Sequence, residues 1–443
     1  MEASQPVEPD SNTKVPQPHD QPGILNRYRK LPRNVYTIGF ISLLNDASSE
    51  IIYPLLPIFL SSVLGASASA IGVIEGAAES ISSLLKLFAG YFSDRLGKRK
   101  VLVVFGYALA NFARPLLAFA NNWYQVLAIR LTDRIGKGIR TAPRDAMIAD
   151  TVAVEHRGLA FGFHRAMDHS GAVIGPLVGY FLVYWFAADR NAPSAHDFTK
   201  IFLWASVPAI AAILVAGFFL KESANKPASS DAKRPRLSWS GFDGNFKRFL
   251  LVVALFTLSN SSDAFLLLRA RDAGVAVVAI PLLWAAHHAS KVLSSLWGGD
   301  LSDRLGRKSL IVSGWLLYAA VYAGFAFVSN SILVWILFLI YGVYFGLAEG
   351  AEKALVADLV RPEQRGTAYG LYNLAFSITV FPASILMGQV WDWKGPVAAF
   401  LMSAVLGGSA AVLLLLLVRT SGTGVSPVNG QHGRDAHATN SYG

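Results

Sequence analysis

Among its 443 residues this chain has no cysteine. That excludes disulfide frameworks, thiolate metal sites and thiol nucleophiles together. Charge is also scarce: Asp, Glu, Lys and Arg make up 15% of the residues, against about 25% in a typical soluble domain. No Walker-type phosphate loop occurs, so nothing supports direct use of ATP. Ser261, Ser262 and Asp263 form no recognisable acid–base constellation, and an enzyme is not expected. The first thirty residues are polar and carry prolines, without the apolar core of a signal peptide.

Apolar sequence is what the chain has in plenty. Hydrophobic residues reach 53% and mean hydropathy is +0.42. Runs of about 20 apolar residues, enough to cross a bilayer, recur near 35–64, 70–93, 101–121, 123–150, 156–186, 198–220, 247–270, 274–298, 309–329, 331–358, 364–390 and 395–418. They predict an all-α membrane protein with twelve transmembrane helices. The net charge of +10 is placed to match. Arg27, Arg29, Lys30 and Arg33 precede the first run, and Lys98, Arg99 and Lys100 follow the second. Lys233, Arg234, Arg236, Lys247 and Arg248 separate the sixth from the seventh, and Arg304, Arg307 and Lys308 follow the eighth. Loops 65–70 and 119–123 have no basic residue. This asymmetry puts both termini and the central loop in the cytoplasm of an inner-membrane protein. It speaks against nucleic acid as the partner of the basic residues.

One phrase occurs twice. Gly90-Tyr-Phe-Ser-Asp94-Arg95-Leu-Gly97-Lys98-Arg99 returns as Gly299-Asp-Leu-Ser-Asp303-Arg304-Leu-Gly306-Arg307, with Asp94 and Asp303 separated by 209 residues (303 − 94). Each copy reads as a tight turn holding Asp-Arg between two spans. Arg157-Gly158-Leu-Ala-Phe-Gly162 pairs with Arg365-Gly366-Thr-Ala-Tyr-Gly370, and Ala149-Asp150 with Ala357-Asp358, both at an offset of 208. Two duplicated six-helix halves follow, at 34–220 and 247–418. A cytoplasmic linker joins them at 221–246, and disordered tails lie at 1–33 and 419–443. Duplicated halves of this kind hold a substrate site between them near the midplane.

These motifs resemble those of the major facilitator superfamily across 31–420. The resemblance implies that the Asp94–Arg99 and Asp303–Arg307 loops latch the cytoplasmic side, with Gly90, Gly97, Gly299 and Gly306 permitting close helix approach, helix two against helix eleven. Arg95 and Arg304 belong to the same gate, and an arginine there can fork onto a nearby acid. Arg134-x-x-Lys137-Gly138-x-x-x-Ala142 looks like the superfamily's proton-transfer motif in span four. Gly162, Gly171, Gly175, Pro176 and Gly179 resemble its antiporter motif in span five, although Tyr180 replaces the closing glycine and Lys137 and Arg140 add cations.

Charged residues inside spans are costly and mark pathways. Asp46 and Glu50 in span one, Glu75 and Glu79 in span two, Arg130, Asp133 and Arg134 in span four, and His164, Arg165 and Asp168 in span five recur at helical spacing. They predict polar faces turned to one shared wet cavity, with Asp263 contributing from span seven. A carboxylate in a low-dielectric site is more readily protonated near neutral pH, so Asp46 and Glu50 are the first candidates for proton coupling and Asp168 the second. Arg144-Asp145 aligns with Glu352-Lys353 with signs exchanged, which suggests an ion pair across the halves near the gate. The expected function is proton-coupled antiport of a small charged or zwitterionic solute or drug, by a monomer with no cofactor beyond the proton gradient. The alternatives are a divalent-metal exporter, a uniporter or symporter, or a non-transporting sensor on the same fold.

Overall fold

The computed structural model describes residues 29, 31–96, 98–153, 156–222, 241–361 and 364–419, all helix and connecting turn with no strand among them. The first half contains α1 (Arg33–Ile52), α2 (Ala68–Leu96), α3 (Arg99–Ala113), α4 (Trp123–Thr151), α5 (Arg157–Phe186) and α6 (Ala195–Phe219). The second contains α7 (Gly244–Ser259), α8 (Ala264–Asp272), α9 (Ile280–Leu305), α10 (Arg307–Phe327), α11 (Ser331–Asp358) and α12 (Arg365–Leu417).

Seven helical stretches among the described residues are long and apolar enough to cross a membrane on composition alone, α7 and α8 counting as one. The last, 53 residues long, is two crossings. Gly395 leaves the helical region at φ 83° and ψ 172°. Ser403 Oγ then comes within 3.6 Å of Met387 Sδ, whereas 16 residues of straight helix would put them about 24 Å apart. The crossings missing from a count by composition are α1, α2, α4 and α9. Three of these, α1, α2 and α4, carry most of the predicted polar stripes, and α9 carries His287, His288 and Lys291.

Two expected spans are not continuous helices. The run at 35–64 breaks at Tyr53–Leu55, where Pro54 and Pro57 supply no backbone N–H, and resumes as a turn at Leu56–Ile58 and a π-helical turn at Phe59–Val63. The run at 247–270 breaks at 260–263, with Asn260 at φ −93° and ψ 79°. The two breaks share the offset of the sequence repeat. So do the helix caps. Asn122 Oδ1 accepts from Gln125 N at 3.0 Å, and Asn330 Oδ1 from Leu333 N at 2.9 Å. The ion pairs Arg99–Asp150 and Arg307–Asp358 repeat in the same way. The start of α3 is thus tied to the end of α4, and the start of α10 to the end of α11.

The repeated phrase is mostly helix rather than turn. Asp94 and Arg95 lie in the last turns of α2, and Gly299, Asp303 and Arg304 in those of α9. Gly97 lies outside the described residues, as do the side chains of Asp94, Arg95, Asp303 and Arg304. Gly306 makes the second turn, at φ 84°. Gly90 does not face the eleventh crossing: a Cβ there would meet Ala142 of α4 at 3.6 Å. The close approach of α2 to α12 instead occurs where Gly72 meets Ser384 and where a Cβ on Gly388 would lie 2.5 Å from Ala68 O.

That contact belongs to the far end of the bundle, opposite the basic turns that join α2 to α3 and α9 to α10. Asp392 there accepts from the backbone N–H groups of Ala68 and Ser69, at 3.0 and 2.8 Å. A carboxylate so placed satisfies orphan donors at the start of α2 and complements its dipole. Val278 N donates to Arg190 O at 3.1 Å and Arg271 Nη1 to Ser61 Oγ at 3.2 Å, also across the halves. These bonds join the halves at the far end. Asp392→Ala is expected to shift the population toward far-end opening. Spin labels on cysteines introduced at 66 and 394 should then show a longer distance fraction, read against no native thiol background.

Candidate functional site

The centre begins with the packing of α1 on α5. A Cβ on Gly171 would lie 2.6 Å from Leu43 O, and one on Gly175 would lie 2.6 Å from Ala47 O and 2.8 Å from Glu50 Cβ. These bare positions let α5 touch the backbone of α1 beside Asp46 and Glu50. Gly179 continues the stripe at 3.4 Å from Ile51 O, with Pro176 buried beside it. Gly162 does not belong to this seam, since a Cβ there meets nothing within 4 Å. Gly175→Leu is expected to overpack the seam by about 1–3 kcal/mol or more, read as a lowered midpoint of thermal unfolding in detergent.

Neither Asp46 nor Glu50 has a lysine or arginine within ion-pair distance among the described residues. Asp46 Oδ1 accepts from Asn45 Nδ2 at 2.8 Å. Glu50 Oε2 accepts from Trp284 Nε1 of α9 at 2.8 Å, a bond between the halves. His288 Nε2 lies 3.9 Å from the same oxygen, and the Tyr53 and Trp284 rings are 5.2 Å apart. Behind them His287 stacks on Tyr341 at 5.1 Å. Tyr341 donates its hydroxyl to Asp263 Oδ1 at 2.8 Å, at the break between α7 and α8.

Toward the basic end, Ser42 gathers four helices. Its Oγ lies 2.9 Å from His164 Nε2, 3.2 Å from Tyr107 Oη and 3.4 Å from Arg144 Nη1. His164 Nδ1 is 3.6 Å from Asp168 Oδ2, and Asp168 Oδ1 has no hydrogen-bond partner. Arg140 is buried with its guanidinium 4.4 Å from the centre of the Tyr107 ring, a cation–π contact.

Three of the expected cavity residues are committed to buried ion pairs. Arg130 forks onto Glu75, Nε to Oε1 at 3.0 Å and Nη2 to Oε2 at 2.7 Å. Asp133 accepts from Arg114 Nε at 3.0 Å. Arg114 also donates to Asn45 O at 3.0 Å and Asn111 Oδ1 at 2.7 Å, tying α1, α3 and α4 together. Arg134 sits 4.0 Å from Asp133. Half-buried Glu79, one turn from Glu75, lies in the field of Lys137 and Arg134. Arg165 is exposed, its Nε 3.4 Å from His169 Nε2. The expected pair between Arg144-Asp145 and Glu352-Lys353 does not form. Arg144 bonds Asp145 beside it at 3.0 Å, and Lys353 bonds Glu349 at 2.9 Å. Glu352 accepts from Trp315 Nε1 at 2.8 Å and Tyr372 Oη at 2.7 Å within its own half.

Sequence reasoning missed Arg114, Trp284 and Tyr341. Arg114 had a signal, as a lone cation in the apolar run at 101–121. An indole or a phenol in an apolar run carries none.

Paired helical halves, broken helices at the centre and charge concentrated on the inner faces define a multi-pass membrane transporter. The chain belongs to the Major Facilitator Superfamily, whose family model matches residues 38–384 and again 249–440. It is 36% identical over 397 residues to an uncharacterized MFS-type transporter of Methanocaldococcus jannaschii, covering 88% of this chain and 96% of that one. A multidrug resistance protein of Proteus mirabilis is 26% identical over 320 residues, 67% of this chain and 74% of that one. In fold the chain is similar to the crystal structure of the nucleoside transporter NupG, with a TM-score of 0.74 at 13% identity over 87% of this chain and 100% of that one.

Proposed function

We propose that the protein works by alternating access, exporting a small charged or zwitterionic solute in exchange for protons. The observation that carries this reading is the bond from Trp284 to Glu50. It joins the two halves at the centre through a carboxylate with no lysine or arginine within ion-pair distance among the described residues. Protonation of that carboxylate changes its hydrogen bonding to the other half, so a proton and the balance between conformations are linked at one atom. Asp46, one helical turn away on the same face, is the second group in this role. Ser42, His164 and Asp168 lead from it toward the basic end.

The positive-inside rule places the basic turns and both termini in the cytoplasm, which makes this the inward-open form. Residues 34–220 and 247–418 are the two bodies that rock, each as a unit, and a monomer suffices. The similarity to a multidrug resistance protein favours the outward direction. Purified protein in proteoliposomes is given a pH gradient and a panel of drugs, organic ions and metal ions. The expected result is solute movement opposite to the proton flow, with matching alkalinisation or acidification of the lumen. Solute flux that ignores both the sign and the size of the gradient would overturn proton antiport.

A further inference from the structure

Two seams join the halves, and they differ. Between α2 and α12 the backbones touch at Gly72 and Gly388. Between α5 and α9 the basic half of the seam stands open as a cleft of about 900 Å³, with α11 as its floor. The cleft has two chemistries along its length. Arg165 and His169 on α5, and Glu349 and Lys353 on α11, line it toward the basic end. Deeper, its walls are Val173, Ile174, Ala289, Val292 and Phe345. Arg165 and Ile174 are nine residues apart, about 13 Å along the helix. Polar head groups and hydrocarbon are layered over a similar depth in one bilayer leaflet.

The mouth of the cleft is apolar. Ile174 on one lip is 42% exposed and Leu293 on the other 55%, so the rim offers apolar surface to an entering hydrocarbon chain. The charged end has more cation than acid. Glu349 is the one carboxylate in the lining, shared by Lys353 at 2.9 Å and by Lys291 at 4.0 Å. Among the described residues no carboxylate comes within ion-pair distance of Arg165. With Arg165 and Lys353 against Glu349 in the lining, an anion entering there gains a partner and a cation meets repulsion.

From this layering we infer that the cargo is an amphiphilic organic anion, an apolar body with a carboxylate, sulfonate or phosphate head, admitted sideways from the basic-side leaflet through the α5–α9 cleft. The inference rests on the transport reading above and names its substrate class. Arg165 and Lys353 take the head, and the walls around Val173, Val292 and Phe345 take the body.

The full chain in nanodiscs is titrated with a fluorescent dodecyl sulfonate, which stays anionic at every working pH, and with the same chain bearing a trimethylammonium head. Saturable binding of the sulfonate alone is expected. Arg165→Gln and Lys353→Gln should each weaken it about tenfold, as loss of a charge-assisted contact does, while Arg165→Lys retains most of the affinity. Both positions are exposed, so both variants should fold, which size-exclusion profiles check. Equal binding of the two amphiphiles, or no effect of either Gln variant, would overturn the inference. Methanesulfonate, the head without the chain, separates the sources. Weak competition is expected, and competition as strong as the dodecyl compound's would mean a water-borne anion and overturn the sideways route. If another solute moves under a pH gradient while the sulfonate does not bind, this inference fails and the transport reading stands. Sulfonate binding that depends on Arg165, without gradient-driven flux of any solute, supports the inference and removes proton-driven transport.

Discussion

Glu75→Ala is expected to destabilise the protein by roughly 3–5 kcal/mol, the cost of leaving one member of a buried ion pair alone. Both side chains are buried, and the fork between them uses two nitrogens and both carboxylate oxygens. Asp133 lies 3.8 Å from Arg130 Nη1 but is already engaged by Arg114, so it relieves only part of the loss. Removing both charges tells a different story. Glu75→Leu combined with Arg130→Met fills similar volume and exposes no orphan charge, so most of the stability should return. The midpoint of thermal unfolding, followed by intrinsic tryptophan fluorescence, compares the three proteins. A double variant no more stable than Glu75→Ala would show that the pair is needed for more than mutual compensation.

Glu50→Gln is expected to uncouple transport from the proton gradient while leaving exchange of solute for solute intact. The glutamine side chain keeps an oxygen to accept from Trp284 Nε1, so the bond between the halves survives in geometry. It can no longer take up or release a proton. Gradient-driven flux should fall by about 5- to 150-fold, the range of ordinary coupling free energies, with counterflow within a factor of about two in the same vesicles. Trp284→Phe separates the bond from the proton. It keeps the titrating carboxylate and removes the donor, so coupling should persist while the balance between open forms shifts. Asp46→Asn is the parallel test for the neighbouring carboxylate. If Glu50→Gln transports with an unaltered pH profile, Glu50 is not the coupling group.

Much of the architecture was legible because it repeats. The offset of 208 that pairs Ala149-Asp150 with Ala357-Asp358 in sequence reappears as the ion pairs Arg99–Asp150 and Arg307–Asp358. Duplicated sequence makes the same local contacts twice. The glycine stripe at 171, 175 and 179 was legible for a similar reason, since spacing of three to four residues puts bare positions on one helical face. The polar stripes were visible too, but spacing alone could not assign their partners. Glu75 and Glu79 stand one turn apart on α2, yet Arg130 forks only onto Glu75. Gly90 carries the resemblance to a gate, yet α2 meets α12 through Gly72 at the other end of the helix.

Composition and periodicity were enough to establish a helical membrane protein of two related halves, because the apolar solvent and the duplication act on every residue of every span. They also marked which helices turn polar faces inward, since charge is not tolerated against lipid. Tertiary structure alone decided that Glu50 meets Trp284, 234 residues away, that Arg114 from another span joins Arg130 and Arg134 around Asp133, and that part of the α5–α9 seam stands open. Those outcomes depend on how the two halves are set against each other to within an ångström. No local pattern in the chain encodes that distance.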